Sequence, residues 1–290
     1  MQSNLRLSFD KYGFVYSHGC TPTTIKRSGR IMKSLKIVTY SAVAGLLLAS
    51  TPGLAQVSAD GMGKVVPVEM YACKFNEGKD NADLAEVVEK WNTYADDSGM
   101  DDYSAWLLTP FFFTPEQDFD ILWLGAFRDG NAMGEGLQNW VTNGRELAAA
   151  FAEVVDCGAH VAYSSAMYKA PQGGNVPQSG FITMMDCELN EGHRYVDVKA
   201  AELKWADYLV KSGSKAAYYH WMPMFGGGDA EFDYKVVSAY PDFKGVGSDV
   251  ENFANGGGRD VSREIFGDID ECDDARVYVT RNIRTGKIRD

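Results

Sequence analysis

The apolar positions change period several times between residues 66 and 168. Val66 to Phe75 is rich in β-branched and aromatic residues and predicts a strand. From Asp83 to Asp96, Leu84, Val87, Val88, Trp91 and Tyr94/Ala95 recur at i, i+3, i+4, i+7 and i+10/i+11, the period of a helix with one apolar face. Ser98-Gly99 ends it. Ser104 to Phe113 predicts a second strand, and Phe119 to Phe127 a third, with Phe119, Ile121, Trp123 and Phe127 on one face. A broken helical stretch follows, then a firm helix from Arg145 to Val155 capped by Asn143, and a last strand from Ala159 to Tyr168. The second half predicts strands near 181–189, 216–224, 232–240 and 275–282, and helices near 196–211 and 259–269.

The two halves also match in sequence. At a shift of 114, Cys73, Asn76-Glu77-Gly78, Asp83, Lys90, Trp91, Tyr94, Ser98 and Gly99 meet identical residues at Cys187, Asn190-Glu191-Gly192, Asp197, Lys204, Trp205, Tyr208, Ser212 and Gly213. That is ten identities in 27 positions, where chance gives about one or two. At 115, Tyr103 and Trp106 match Tyr218 and Trp221, and Phe151, Cys157 and Tyr163 match Phe266, Cys272 and Tyr278. At 113, Phe119-Asp120 matches Phe232-Asp233, Ala126 matches Ala239 and Asn139 matches Asn252. The shift changes between elements, as differences in loop length require. The organisation expected is a first repeat over 60–169, a Gly- and Pro-containing linker over 170–180 and a second repeat over 181–290.

The N-terminus breaks this pattern. Met32-Lys33-Ser34-Leu35-Lys36 is a short basic opening, Ile37 to Ser50 is apolar, and Gly53-Leu54-Ala55 and Val57-Ser58-Ala59 are small-x-small cleavage signals. This is the order of a secretory signal peptide over 32–59. The apolar run holds 14 residues, short of the ~20 a spanning helix needs. Residues 1–31 precede a good start at Met32 and read as a non-native extension. Residues 1–55 hold seven of the 28 Lys/Arg and one of the 40 Asp/Glu, leaving 21 bases against 39 acids, a net of −18. An acidic surface of that size repels nucleic acid and anionic lipid. The expected location is periplasmic or secreted, with no stable membrane span once the leader is removed. Cys73, Cys157, Cys187 and Cys272 remain beyond the leader, an even number that reads as two disulfides in an exported protein. No CxxC or Cys/His cluster suggests zinc.

The element order, twice βαββαβ, resembles the ferredoxin-like motif. Two such units pairing sheet to sheet resemble the dimeric α+β-barrel superfamily, here as a tandem repeat over about 66–283. The resemblance implies an α+β fold with the pairing intramolecular. It also implies that strand 1 of each copy lies antiparallel beside strand 4, and hence bridges Cys73–Cys157 and Cys187–Cys272. The superfamily includes cofactor-free monooxygenases and haem-handling proteins.

Candidate chemistry is sparse. His220 lies in the second strand of the second copy where the first has Ala105, so it is the candidate general base or the candidate metal or haem ligand of an asymmetric site; the alternative is a half-buried histidine with a satisfied hydrogen bond. Trp106, Trp123, Trp221 and Tyr234 lie in strands and, with His220, form an aromatic-lined pocket between the sheets if they face inward; facing the helices, they are core. Asn76-Glu77-Gly78 and its copy are either a polar pair at the barrel mouth or a turn. The runs Gly226-Gly227-Gly228 and Gly256-Gly257-Gly258 lack phosphate-loop spacing, and the acids between Asp268 and Asp274 lack EF-hand spacing. No GxSxG or Ser/His/Asp arrangement is present. Three functions remain: a binding protein for a small apolar or aromatic molecule, an enzyme of the barrel superfamily, or an interaction protein with a filled core. Trp123 against Val236 and His220 against Ala105 mark where the halves differ, and a single site is expected there.

Overall fold

The computed structural model describes residues 63–115, 117–171, 178–228 and 231–286. The leader read over 1–31 and 32–59 lies outside the described residues, as does most of the linker.

The chain runs β1 (Val66–Phe75), α1 (Asn81–Asp97), β2 (Ser104–Phe112), β3 (Ile121–Ala126), α2 (Gly130–Asn143), α3 (Arg145–Ala152) and β4 (Val155–Lys169). It continues with β5 (Ser179–Leu189), α4 (Tyr195–Lys211), β6 (Ala217–Phe225), β7 (Tyr234–Tyr240), α5 (Phe243–Ala254), α6 (Gly258–Phe266), the short β8 (Asp270–Cys272) and β9 (Arg276–Arg284). α1 begins at a capping box, with the Asp80 carboxylate accepting from Ala82 N at 2.7 Å and the Asp83 carboxylate accepting from Asp80 N at 3.1 Å. The stripe Leu84, Val87, Val88, Trp91 and Ala95 is buried, as the period requires. Asn143 does not cap α3. It is the last residue of α2, its side chain bonds back to Asn139, and Gly144 is the single residue between the two helices.

Antiparallel pairing runs β4–β1–β3–β2 in the first half and β9–β5–β7–β6 in the second. The halves join edge to edge through β2–β9 and β4–β6, closing an eight-stranded barrel with β8 as a short extra partner of β5. Closure leaves no exposed edge on those eight strands. Because every neighbour is antiparallel, β2 and β6 point the same way, and both hairpin connections lie at one end of the barrel.

The doubled motifs tie the frame together at that end. Asn76 and Asn190 each donate through Nδ2, at 2.8 Å, to a carbonyl before the half's last strand, that of Ala152 or Asp268. Gly78 and Gly192 complete these turns at positive φ. Asp120 and Asp233 each accept from the backbone at the end of the half's first strand, at 2.9 and 2.7 Å. The most literal repeat is thus turn chemistry. Cys73 bonds to Cys157 and Cys187 to Cys272, in both cases between residues facing one another in the ladder.

Strand alternation separates three cores. Val68, Leu108, Leu122, Leu124, Tyr163, Ile182, Met184, Trp221, Val237 and Tyr278 fill the barrel. Outside it, α1 to α3 pack on the first half, and α4 packs over Tyr218, Tyr234 and Val236 of the second and over Tyr168 of the neighbouring β4. No described helix is long and apolar enough to cross a membrane.

Candidate ligand site at the hairpin end of the barrel

The pleat decides where the sequence-predicted residues go. Trp106 and Trp221 face the barrel interior. Trp123, His220 and Tyr234 face the helices. His220 and Trp221 are adjacent in β6, so a strand must send them to opposite faces. The five residues therefore do not share one pocket. Phe119 departs from its predicted face as well. It precedes β3, escapes the alternation, and turns into the barrel against Tyr278, with ring centroids 6.4 Å apart.

His220 is sealed beneath α4. It is 0% exposed and its Nε2 lies 2.8 Å from Oε1 of Glu202, which is 1% exposed. That contact is off the ring N–H axis, so no aligned hydrogen bond joins the two. Nδ1 meets the Tyr195 hydroxyl at 3.3 Å. The rings of Tyr168 and Tyr234 pack against the imidazole with centroids 4.7 Å away. Tyr218 donates to Glu202 at 3.1 Å, Tyr234 donates to Asp270, and Tyr168 and Tyr195 share a hydrogen bond. Burial pushes all four phenols above the ordinary tyrosine range.

The first half has its own polar network in the matching layer. Trp123 Nε1 donates to the Tyr103 hydroxyl at 2.8 Å, and Tyr103 donates to buried Glu69 at 2.7 Å. His160 Nε2 meets the other Glu69 oxygen at 2.9 Å while its ring stacks on Tyr71. Trp123 is thus a core residue with a satisfied N–H.

The barrel interior opens at the hairpin end. A cavity of about 260 Å³ is lined there by Val161, Tyr163, Pro223, Phe225, Phe232 and the run Gly226–Gly228. Gly226 sits at φ 79°, and a Cβ would meet the His160 carbonyl oxygen at 2.4 Å, so only glycine lets the hairpin lie this close to β4. Lys235 lies behind two of these walls, and Arg276 shares its partner Asp186. Lys235 Nζ lies 4.0 Å from the Phe232 ring centroid and 5.8 Å from that of Tyr163, both of them walls, and it is paired with Asp186. Arg276 bridges Asp186 and Asp273 at 3.1 Å each. Burial holds the Lys235 ammonium below the ordinary lysine range, with Asp186 pulling the other way. Burial, reinforced by the charge of Asp186, holds the Tyr163 phenol above its ordinary range.

Lys235, Asp186 and Arg276 escaped the sequence reasoning, yet a signal was present. In the internal alignment they match Leu122, Ala72 and Val161, so three inward-facing positions of one half carry charge where the other is apolar. The halves thus differ in charge at the barrel's interior, one residue along from Tyr234.

No family model matches the sequence, and no curated relative matches it. The fold has solved neighbours. A dye-decolorizing peroxidase from Bacteroides thetaiotaomicron is 8% identical, with a TM-score of 0.50 over 76% of this chain and 94% of that one. A haem-binding protein from Thermus thermophilus is 11% identical, with a TM-score of 0.47 over 76% and 92%. A mutant chlorite dismutase from Candidatus Nitrospira defluvii is 7% identical, with a TM-score of 0.47 over 75% and 92%. At such identities the likeness concerns the fold, an α+β barrel, and not the chemistry.

Proposed function

We propose that this protein binds a small apolar or aromatic molecule in the cavity at the hairpin end of the barrel. The observation that carries the proposal is the cavity itself, lined by Tyr163, Phe225, Phe232, Val161, Pro223 and three glycines. A dry apolar cavity of ~150 Å³ is enough for benzene in a well-studied lysozyme variant, so about 260 Å³ suits one ring with substituents or two fused rings. The pocket thus sits at the small end of ligand sites, which run from roughly 300 Å³.

A haem fits neither candidate place. The cavity is too small for a tetrapyrrole and no histidine lines it. His220 is 0% exposed, its Nδ1 meets the Tyr195 hydroxyl, and Glu202, Tyr168 and Tyr234 enclose its ring, so no haem reaches it. No step is therefore routed through iron, and His220 is assigned to the core. A protein with a filled interior is the competing reading, since side chains fill most of the barrel. The same proposal treats 60–169 and 181–290 as copies of one unit, supported by the doubled Asn and Asp ties. It treats 32–59 as an export signal, supported by two disulfides of the kind oxidising compartments sustain.

Thermal unfolding with toluene, indole and naphthalene tests the binding proposal. Ligand at 100 times its Kd stabilises by ~2.7 kcal/mol, a shift of several degrees. Val161→Trp, which fills the cavity, should abolish the shift while leaving the unliganded protein folded. No shift with any ring, or equal shifts in Val161→Trp, would rule out this cavity as the site.

A further inference from the structure

Behind the cavity walls Tyr163 and Phe232 lie an ammonium with a single paired acceptor and a buried indole N–H with none. An ammonium has three N–H bonds. Among the described residues, Lys235 is given one acceptor, the Asp186 carboxylate, and otherwise faces the rings of Phe232 and Tyr163. Trp221 stands opposite Lys235 in the β6–β7 register. Its ring stacks on Tyr163 with centroids 5.9 Å apart, and its indole N–H is buried with no hydrogen-bond partner. Buried donors without partners are uncommon in folded proteins, because each forfeits its bond to water. Here one of them, the Trp221 N–H, belongs to the ring stacked on Tyr163, a wall of the cavity. The acidic side is already committed: Asp186 is shared between Lys235 and Arg276, and Asp273 accepts from Arg276 and from the Asp186 backbone. Among the described residues, no acceptor meets the Trp221 N–H.

We propose that the ligand is an aromatic carboxylate, its ring between Tyr163, Phe225 and Phe232 and its anionic oxygens facing the Lys235 ammonium and the Trp221 N–H. This rests on the ring-binding proposal above and adds the charge of the ligand. Lys235 itself is 8% exposed, and a charge-assisted bond made at a buried ammonium is stronger than one made in water. The placement also fits the asymmetry of the halves, since Leu122 stands where the second half has Lys235.

Isothermal titration of the full chain at pH 7 with toluene, benzoate and benzylammonium separates the possibilities. All three carry one benzene ring and differ in their substituent. One charge-assisted hydrogen bond contributes ~1.5–3 kcal/mol, so benzoate should bind at least about tenfold more tightly than toluene, with benzylammonium weakest. Lys235→Met should erase the preference for benzoate while toluene affinity changes less than about threefold. If Asp186, left with only Arg276, destabilises that variant, Lys235→Met with Asp186→Asn removes both partners and should show the same loss. Toluene binding as tightly as benzoate, or benzylammonium binding best, would overturn the carboxylate assignment and leave ring binding standing. Failure of all three to bind would overturn both.

Discussion

Gly125 offers a sharp test of how the first half is built. It lies in β3 beside Tyr103, and a Cβ there would sit 1.8 Å from the Tyr103 hydroxyl oxygen and 2.4 Å from Cζ. Tyr103 is 3% exposed, so the phenol cannot swing into solvent. Gly125→Ala must therefore displace it from Glu69 and Trp123, at 2.7 and 2.8 Å. A bond to a carboxylate contributes ~1.5–3 kcal/mol and a neutral one ~0.5–1.5. Overpacking adds ~1–3. His160 still holds the second Glu69 oxygen, which limits the damage. The expected loss is about 4 kcal/mol in urea unfolding followed by tryptophan fluorescence. Tyr103→Phe loses the same two bonds without the overpacking and should cost about 3 kcal/mol. The double variant should be little worse than Gly125→Ala alone, because each change breaks the same bonds. Additive costs, or a Gly125→Ala loss under about 0.5 kcal/mol, would refute the proposed packing.

Three further outcomes follow from the second half and the bridges. Removing Cys187 and Cys272 together opens a loop spanning 85 residues; loop-closure entropy sets the loss at ~4.5 kcal/mol, readable by calorimetry against the intact protein. His220→Ala leaves the buried Glu202 carboxyl of α4 with only the Tyr218 hydroxyl and should cost ~3–5 kcal/mol, whereas His220→Leu with Glu202→Met should cost far less; equal losses in chemical unfolding would argue against a buried pair. Asp270 is held above its ordinary value of 3.8 mainly by burial, with Glu202 adding to this and the Tyr234 hydroxyl opposing it. As pH falls, the folded state then takes up that proton before the unfolded state, so the charged Asp270 weakens the fold above its folded value. The stability of Asp270→Asn relative to the parent should therefore rise between pH 4 and pH 7, and a difference that stays flat would contradict the shift.

Much of the frame was legible because it rests on period and on doubling. The stripe Leu84–Ala95 defined α1, and the matched cysteines paired as strand 1 beside strand 4 requires. The sheets meet through β2–β9 and β4–β6 edges, a matter of long-range pairing that local patterning does not encode. The site was harder to read for a different reason. Aromatics and a lone histidine drew the eye to Trp123, His220 and Tyr234, although the pleat forbids His220 from sharing a face with Trp221. Lys235 and Asp186 are two charges among many in an acidic chain, and only the barrel's closure turns them inward. Comparing the copies position by position, with face assigned first, would have singled them out.

The proposed function stands or falls on whether the barrel's hairpin end accepts an aromatic ring. Crystals soaked with iodobenzene give the most direct answer, since anomalous scattering locates the halogen without reference to any assumed site. The predicted result is one iodine peak between Tyr163, Phe225 and Phe232, lost in Val161→Trp crystals. Iodine found only outside that cavity, for example among the exposed Phe111, Phe112 and Phe243 rings, would contradict it.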